Sequence, residues 1–404
     1  MKDFEVKIVL GHSFGDEGKG VTVQHLCKEA IDKGKKPLVI RFSGGPQAAH
    51  TIKYNGIEHI CSTYGSGVLL GVPTLIWNTA YFDPISAKNE YDVLKEKMDE
   101  VPPLYVMPNT KVITPYEVHF GRINEKILKD GTCGRGIYPT FKREKDGLNI
   151  NVEDLTLISN LVSLESYYYS GNYDASKLSP EGKMFEELRN NILENKYDFY
   201  SVTSGGLVLS MFDVLIFEGS QGLLLDMDRG YYPNVTPSKV GLNAFTEDKF
   251  LEKALYGAEV YLVTRTYLTR HGNGYTPSKR CFNFDLSNKF ETNVLNEYQG
   301  EFKTGLLNFD LLNEALNRHC IDNFIFLYDL KVNLVITHWD LLKDLKEFNY
   351  IEDKRIKTIK IQDNDFTDVL ELFKWYSTKS YVHIRDLYLN DTTESNLKKC
   401  VDNC

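Results

Sequence analysis

The sequence predicts an α/β protein in which helices flank a mainly parallel central sheet. Short apolar runs rich in β-branched residues recur along the chain, and helical or polar stretches separate them. Several of these runs end in glycine or in polar residues. Runs of this kind are typical of parallel sheets, whose strands are buried on both faces. In such sheets ligands bind beyond the carboxyl ends of the strands, so the run ends are the first candidate site.

Six apolar runs are the predicted strands, in the order VKIVLG, KPLVIRFS, DVLIFEGS, EVYLVTRTY, VNLVITHWD and SYVHIRDL. The stretches GVTVQHLCKEAIDKGKK and LSPEGKMFEELRNNILENK mix polar and apolar residues and predict helices. The segment from about 90 to 210 is more helical and more charged, which predicts helical insertions. We therefore expect a single large α/β domain over residues 1–404, with a candidate helical subdomain at about 90–210.

Composition and charge limit the classes of partner. The chain has 47 basic and 56 acidic residues, and its net charge of −9 argues against broad nucleic-acid binding. No apolar run is long enough to span a membrane, and the first residues enter a predicted strand rather than a signal peptide. Seven dispersed cysteines without a C-x-x-C pair are typical of reduced thiols. We therefore expect a cytoplasmic protein that binds neither nucleic acid nor membranes.

The stretch GHSFGDEGKG, residues 11–20, has the composition of a phosphate-binding loop. Three glycines would let backbone N–H groups approach an anion at a helix start, and a lysine would add positive charge. These residues are Gly15, Gly18, Gly20 and Lys19. The spacing is not that of a Walker A loop, because Ser13 stands where the first glycine of G-x-x-x-x-G-K belongs. Asp16 would repel phosphate, which indicates a Mg²⁺ ligand or a proton acceptor; the alternative is a polar loop with a helix cap.

A second stretch, RFSGGPQAAHT at residues 41–51, leaves a predicted strand through two glycines and contains His50. Histidine can donate a proton near neutral pH, so Asp16 as base and His50 as acid would form a complementary pair. The alternative for a lone histidine is a structural role.

Both stretches resemble the adenylosuccinate synthetase family, which reads G-x-Q-W-G-D-E-G-K-G and then G-G-x-N-A-G-H-T about thirty residues later. Further blocks resemble the family in the same order, namely DGTCGRGIYPTF, FEGSQGLLLDMDRGYYPNVTPS, YLTRHGNGYTP and THWDLLKDL. An ordered set over residues 6–345 is far more specific than any one motif. The resemblance implies an adenylosuccinate-synthetase-like fold.

The family joins the amine of aspartate to C6 of a 6-oxopurine nucleotide. A base deprotonates N1 so that O6 attacks the γ-phosphate of a nucleoside triphosphate, and the amine then displaces the 6-phosphoryl group. The resemblance implies that Asp16 is the base and a Mg²⁺ ligand, and that His50 is the acid. It also implies that Lys19 binds phosphate and that the carbonyl of Ala49 is a second Mg²⁺ ligand.

The resemblance extends to both nucleotide sites. The positions that match the purine-monophosphate site are Gln47, Thr132, Cys133, Gln221, Thr236 and Arg143. The positions that match the triphosphate site are Gly15, Gly18, Lys19, Gly20 and Asp340. Cys133 replaces a family threonine, and we interpret it as a small residue beside a phosphate loop, with a nucleophile as the alternative. The family is a homodimer that lends an arginine across the interface, and Arg143 matches that position.

The amino-acid site departs from the family pattern. In place of the aspartate-binding T-T-G-R-x-R-R loop, the chain has ETNVLNEYQGEFKTG, whose only cation is Lys303. One lysine cannot reproduce bidentate recognition of a carboxylate by arginine. We expect either that Arg265, Arg270 or Arg280 substitutes, or that the amino acid is held differently, or that the amine is not aspartate. Lys303 and Arg270 are the candidate ligands.

The nucleotide sites also depart from the pattern. Asp340 is kept in THWD, but His338 replaces the family's lysine, so the donor is GTP, ATP or dATP. Gln47 replaces the family's asparagine near the purine. Together with the departures in the amino-acid loop and the donor site, this divergence resembles a bacteriophage branch of the family that acts on dGMP. Members of that branch often have a small residue where Asp16 stands, so both IMP and dGMP remain candidates. A non-catalytic nucleotide-binding relative is the alternative outside the enzyme class.

Overall fold

A computed structural model describes residues 4–124, 131–169, 177–276, 298, 300–380, 382–391 and 397–400. Its strands are β1 (Glu5–Gly11), β2 (Pro37–Arg41), β3 (His50–Tyr54), β4 (Ile57–Cys61), β5 (Thr74–Ile76), β6 (Tyr81–Phe82), β7 (Leu104–Val106), β8 (Lys111–Val112), β9 (Tyr200–Val202), β10 (Val214–Gly222), β11 (Glu259–Arg265), β12 (Tyr267–His271), β13 (Phe302–Asn308), β14 (Lys331–Thr337), β15 (Glu347–Glu352), β16 (Arg355–Lys360), β17 (Asp386–Leu389) and β18 (Lys398–Lys399).

Its α-helices are α1 (Lys19–Asp32), α2 (Pro84–Lys97), α3 (Pro115–Ile123), α4 (Ile137–Lys145), α5 (Ile158–Tyr169), α6 (Pro180–Leu193), α7 (Gly205–Leu209), α8 (Lys249–Ala254), α9 (Phe309–Arg318), α10 (Ile321–Tyr328) and α11 (Thr367–Lys379). Short 3₁₀ helices include Leu223–Leu225 and Trp339–Asp344. Among the described residues, no helix is both long and apolar enough to cross a bilayer.

The largest sheet has ten strands in the order β18-β17-β14-β11-β1-β10-β2-β5-β7-β9. Every neighbouring pair in it is parallel except β17 and β18. Alternate residues of β2 enter different cores, since Leu38 and Ile40 pack in one buried cluster and Val39 in another. Both faces of the sheet are therefore covered, as the near-continuous apolar runs require. The predicted fold class, a mainly parallel sheet flanked by helices, is confirmed.

Two predicted strands differ in detail from the structure. The run EVYLVTRTY is interrupted at Thr266, where the chain leaves the large sheet and β12 enters a four-stranded sheet in the order β12-β13-β15-β16. The run SYVHIRDL becomes a strand only from Asp386. Apolar composition identified the two runs, but the position at which a chain changes sheets is set by tertiary contacts.

A separate buried cluster gathers apolar residues between Ile52 and Phe199, including Leu94, Tyr116 and Phe185 from three helices. This cluster underlies the segment in which we expected helical insertions. The division at about 90–210 stays a prediction.

The parallel strands place their last residues along one edge of the sheet. Gly11, Arg41, Gly222, Arg265 and Thr337 end five strands that are neighbours or near neighbours. Ligand sites in open α/β sheets lie at this edge.

Candidate functional site

The loop between β1 and α1 is built around glycines. Gly18 caps α1 with φ of 99°, a left-handed conformation that an L side chain rarely adopts. A Cβ at Gly18 would lie 2.7 Å from Cγ2 of Thr337, and one at Gly20 would lie 2.8 Å from Cβ of His50. The glycines therefore let the loop approach the end of β14 and bring His50 to the start of α1. The N–H groups of that helix start carry partial positive charge.

Asp16 lies in this loop with φ of 56°, in the left-handed region. Its side chain is half-buried, and its carbonyl accepts a hydrogen bond from Nε of Arg265 at 2.5 Å. Aspartate tolerates the left-handed region better than most residues, yet the conformation persists only where surrounding contacts hold it.

Glu17 and Lys19 form a buried charged pair beside Asp16. Oε1 of Glu17 accepts hydrogen bonds from the backbone N–H and the hydroxyl of Ser13, at 2.5 Å and 2.7 Å. Nζ of Lys19 lies 3.8 Å from Oε2 of Glu17. Burial raises the pKa of Glu17, the charge of Lys19 opposes this, and the charge of Asp16 raises it further. The pair fixes the lysine close to the start of α1.

His50 is paired with Glu218, a residue that the sequence analysis did not assign. Nδ1 of His50 lies 2.5 Å from Oε1 of Glu218, and Nε2 is buried without a partner among the described residues. Burial lowers the pKa of His50, which the hydrogen bond to Glu218 opposes only in part. Burial alone would raise the pKa of Glu218, but the hydrogen bond from His50 and the charge of Arg41 lower it to about 2. At neutral pH we therefore assign an ionised Glu218 that accepts the Nδ1 proton of a neutral His50.

Three further groups hold Glu218 in place. The backbone N–H of Ser66 donates to Oε2 at 3.0 Å and its hydroxyl donates to Oε1 at 2.5 Å. The neighbouring guanidinium of Arg41 donates to the carbonyl of Ala48 at 2.7 Å, one residue before Ala49, which is exposed. A charged residue at the end of the buried run DVLIFEGS was the signal that could have identified Glu218.

The remaining predicted purine-site residues fall into two groups, and Gln47, Gln221 and Thr236 make up the first. Both glutamine side chains lie close to glycines of the site loops. A Cβ at Gly44 would lie 3.0 Å from Nε2 of Gln47, and a Cβ at Gly15 would lie 2.9 Å from Oε1 of Gln221. Nε2 of Gln47 is buried without a partner among the described residues. Thr236 is half-buried, and its N–H donates to the carbonyl of Leu225 at 2.8 Å.

Thr132 and Cys133 form the second group, in the loop before α4. The hydroxyl of Thr132 accepts a hydrogen bond from the N–H of Gly134 at 3.1 Å. Burial raises the pKa of the Cys133 thiol, so the thiol is protonated at neutral pH. This favours the interpretation of Cys133 as a small neighbour of the loop over that of a nucleophile.

Arg143, predicted for the purine-monophosphate site, is engaged inside its own subunit. Its side chain is fully buried, and its Nε donates to Oε1 of Glu117 at 2.7 Å. Its other nitrogens donate to the carbonyls of Leu148 and Val112 at 2.7 Å and 2.9 Å. These contacts hold its guanidinium within its own subunit, and its role at the nucleotide site stays a prediction. The motif comparison assigned Arg143 a position along the chain but could not show the direction of its side chain.

The guanidinium of Arg270 is engaged with backbone carbonyls, and its role as a ligand of the amino acid stays a prediction. Its nitrogens donate to the carbonyls of Asn273, Tyr275 and Asn234 at 3.1, 2.9 and 3.0 Å, and its guanidinium carbon lies 4.3 Å from the centre of the Phe14 ring. Burial lowers its pKa to about 10. Lys303 is half-buried and pairs with Arg270 in the register of β12 and β13. Arg280 lies outside the described residues.

Asp340 is half-buried in the first turn of the 3₁₀ helix that follows β14. The preceding His338 has φ of 60°, and burial and the charge of Arg265 hold its pKa well below the usual value. A neutral histidine therefore stands where the family pattern has a lysine. This part of the site carries less positive charge than the pattern predicts.

His59, Cys61 and Glu90 form a second buried cluster, whose side-chain ligand atoms lie within 4.8 Å of one another. Glu90 already accepts hydrogen bonds from the backbone N–H groups of Ser62 and Thr63, at 3.2 Å and 2.6 Å. Burial raises the pKa of Cys61 well above its usual value, which disfavours the thiolate that a metal would bind. Glu90 therefore anchors the turn that leads to Ser66.

A sequence comparison with known families gives the same result as the motifs. The family model described as adenylosuccinate synthetase matches residues 8–326. An adenylosuccinate synthetase of Mesoplasma florum is 28% identical over 290 residues, which cover 69% of this chain and 66% of that protein. The corresponding protein of Buchnera aphidicola is 28% identical over 399 residues, which cover 92% and 88%. The match to the first of these relatives thus spans just under two thirds of its length.

Solved structures support the fold. The fully ligated adenylosuccinate synthetase of Plasmodium falciparum superposes with a TM-score of 0.71 at 21% identity, covering 97% of this chain and 98% of that one. The cyanophage S-2L succinoaminodeoxyadenylate synthetase, bound to dGMP and dATP, gives 0.58 at 14% identity, covering 93% and 100%. The expected adenylosuccinate-synthetase-like fold is confirmed.

Proposed function

The chain belongs to the adenylosuccinate synthetase family of C–N bond-forming ligases, and we propose that it joins L-aspartate to C6 of a 6-oxopurine nucleoside monophosphate, either IMP or dGMP. Cleavage of a nucleoside triphosphate to the diphosphate and phosphate drives the reaction. The observation that carries this proposal is the meeting of Asp16, Lys19 and the His50–Glu218 pair at the start of one helix.

In the first step, Asp16 takes the proton from N1 of the purine. The electron pair released to O6 forms a bond to the γ-phosphorus, and the bond between that phosphorus and the β–γ bridging oxygen breaks. The nucleoside diphosphate leaves with that oxygen. Lys19 and the N–H groups at the start of α1 hold the phosphates, because both supply positive charge at a fixed position.

His50 supplies the proton that stabilises the reacting oxygens. We assign the neutral ring with Nδ1–H donating to Glu218 and with Nε2 unprotonated. An anionic phosphate beside Nε2 favours the protonated imidazole, so nucleotide binding raises the pKa of His50. Nε2 then donates a hydrogen bond to the charge that develops on O6 and the transferring phosphoryl group. Glu218 keeps the ring oriented and stabilises the imidazolium.

In the second step, the amine attacks C6 and phosphate leaves with the former O6. The amine keeps one N–H and loses one proton, and the proton that Asp16 took from N1 leaves with the phosphate or passes to solvent, because N1 of the 6-aminopurine product carries no hydrogen. We propose that Gln47, Gln221, Thr132 and Thr236 bind the purine monophosphate. Nε2 of Gln47 is a buried donor without a partner among the described residues, as expected of a group that hydrogen-bonds to a ligand.

The donor set at the loop fits Mg²⁺. Oε2 of Glu17 is a buried carboxylate oxygen without a hydrogen-bond partner in the described part of the chain, and Asp16 lies close enough to raise its pKa. Two neighbouring carboxylates are the hard oxygen donors that this cation prefers. The carboxylate of Asp16 would hold the metal with the carbonyl of Ala49. When bound, Mg²⁺ neutralises phosphate charge.

A ligase that uses another amine is the second candidate function. The observation in its favour is that the guanidinium of Arg270, one of the two candidate ligands for the amino acid's carboxylate, is engaged with backbone carbonyls. A homodimer in the cytoplasm is proposed from the family resemblance, and light scattering of the purified protein tests the dimer.

One substrate matrix tests the proposal. IMP, GMP and dGMP are each combined with ATP, dATP or GTP and Mg²⁺, with and without L-aspartate, and products are identified by mass spectrometry. We expect one monophosphate to give a succinylated product together with phosphate. Product with a different amine, and none with L-aspartate, would establish the second candidate. Binding without phosphate release in any combination would identify a non-catalytic relative.

A further inference from the structure

We infer that Arg265, Thr269 and Thr337, here called the carbonyl clamp, are positioning residues that direct the side chain of Asp16 and the neighbouring N–H groups toward the nucleotides. The inference rests on the proposed function, in which Asp16 is the base. None of the three side chains is proposed to touch a substrate.

The carbonyl clamp binds three consecutive carbonyl groups of the loop. The hydroxyl of Thr269 donates to the carbonyl of Gly15 at 2.7 Å. Nε of Arg265 donates to the carbonyl of Asp16 at 2.5 Å. The hydroxyl of Thr337 donates to the carbonyl of Glu17 at 2.7 Å. All three clamp side chains are buried, so water does not compete for these hydrogen bonds.

The clamp residues belong to rigid parts of the fold. Arg265 and Thr337 are the last residues of β11 and β14 and face each other in the register of that parallel pair. Thr269 lies in β12, which belongs to the second sheet. The guanidinium of Arg265 packs over the rings of Tyr267 and Phe302, 5.3 Å and 5.8 Å from their centres. The loop is therefore attached to both sheets at once.

The hydrogen bonds to the three carbonyl oxygens also fix the direction of the N–H groups on the opposite side of the loop. In a trans peptide the N–H of the next residue points away from the carbonyl oxygen, and within the described residues the only cis bond is Tyr232–Pro233. The N–H groups of residues 16, 17 and 18 therefore point away from the clamp. The left-handed conformation of Asp16, which is unfavourable for most residues, is imposed by the same contacts.

His338 selects the orientation of one clamp hydroxyl. Its Nδ1 lies 3.1 Å from Oγ1 of Thr337, and the ring is neutral because burial lowers its pKa. If Nδ1–H donates to that oxygen, the hydroxyl proton of Thr337 is directed to the carbonyl of Glu17. The histidine that replaces the family's lysine thus supports the clamp.

Three variants test the inference, namely Thr269→Val, Thr337→Val and Arg265→Lys. Valine keeps the shape of threonine and removes the donor, and lysine keeps the charge but not the Nε position. The control is Thr246→Val, at an exposed threonine whose hydroxyl donates to the carbonyl of Asn243 at 2.9 Å. Circular dichroism and urea unfolding identify variants that fail to fold, and only folded variants are compared.

We expect each clamp variant to lower kcat by about tenfold or more while KM for the purine monophosphate changes less than about threefold. Clamp variants that behave like the control in an active enzyme would overturn the inference, as would a loss confined to KM. Absence of turnover in the wild-type protein would instead reject the proposed function.

Discussion

His50 and Glu218 form a hydrogen bond of 2.5 Å between Nδ1 and Oε1, inside the protein and at the carboxyl end of the central sheet. The carboxylate is ionised because its pKa is lowered to about 2, and the imidazole is neutral because burial lowers its pKa. At neutral pH the pair therefore carries a single negative charge, on Glu218. A phosphate anion beside Nε2 would favour protonation of the ring.

Replacement of Glu218 by glutamine should lower kcat about 10²-fold or more, because the imidazolium loses its counter-charge. Substrate KM values should change little, since Glu218 touches no nucleotide in the proposal. The control is Glu165→Gln, at a half-buried carboxylate that accepts hydrogen bonds from Tyr116 and Ser179. Steady-state kinetics measure both variants. A kcat equal to that of the wild type in Glu218→Gln would remove the pair from the mechanism.

The ionisation of His50 should change on nucleotide binding. In the free protein its pKa lies below 6.5, so the ring is neutral at pH 7; bound phosphates should raise the pKa toward or above neutrality. Nitrogen-15 NMR of the histidine rings, titrated with and without a non-hydrolysable triphosphate and the monophosphate, measures this. His59, buried near Glu90, is the internal comparison and should not shift. A His50 pKa that falls or stays constant on binding contradicts its role as acid.

Replacement of Asp16 by asparagine should abolish the phosphate release that depends on added L-aspartate. The lost proton transfer alone should lower the rate by about 10²–10⁴-fold. Asparagine also tolerates the left-handed backbone, so the loop should keep its conformation. Asp32→Asn, at the exposed end of α1, is the control and should retain full activity. Phosphate release measured at saturating nucleotide separates lost chemistry from lost binding. An unchanged rate in Asp16→Asn would reject the assignment of the base.

Arg143→Met should destabilise the fold by about 3–5 kcal/mol, because it leaves the buried Glu117 without its counter-charge. The neighbouring Lys142→Met, which removes an exposed pair with Asp146, should have little effect. Urea denaturation gives the free energy of unfolding of each variant. Unaltered stability together with a raised KM for the purine monophosphate would return Arg143 to the nucleotide site.

Local sequence carried most of the information about the fold. Buried runs such as the one that ends at Gly11 identified the strands, since full burial on both faces leaves no polar positions. The glycines of the loop could also be recognised from sequence, because the left-handed backbone at Gly18 and the nearby Thr337 leave no room for a side chain. What the sequence could not supply was the direction of long side chains. Arg143 and Arg270 point into the protein, where distant carbonyls determine their contacts.

Residues that act through others were also missed. Glu218 is far in sequence from the histidine that it orients, and Thr269 and Thr337 are far in sequence from the loop that they support. Periodicity reports which face of an element is buried but not which distant backbone group a hydroxyl meets. The motif pattern therefore identified candidate ligands, whereas the groups that hold them required the structure.

The transfer of phosphoryl to O6, made possible by Asp16, is measured most directly with an isotope. The monophosphate that supports turnover is labelled with oxygen-18 at O6, and the released phosphate is analysed by mass spectrometry. We predict that the label leaves the purine and appears in inorganic phosphate, one labelled oxygen per product formed. Phosphate that carries no label from O6, while product accumulates, would contradict the account.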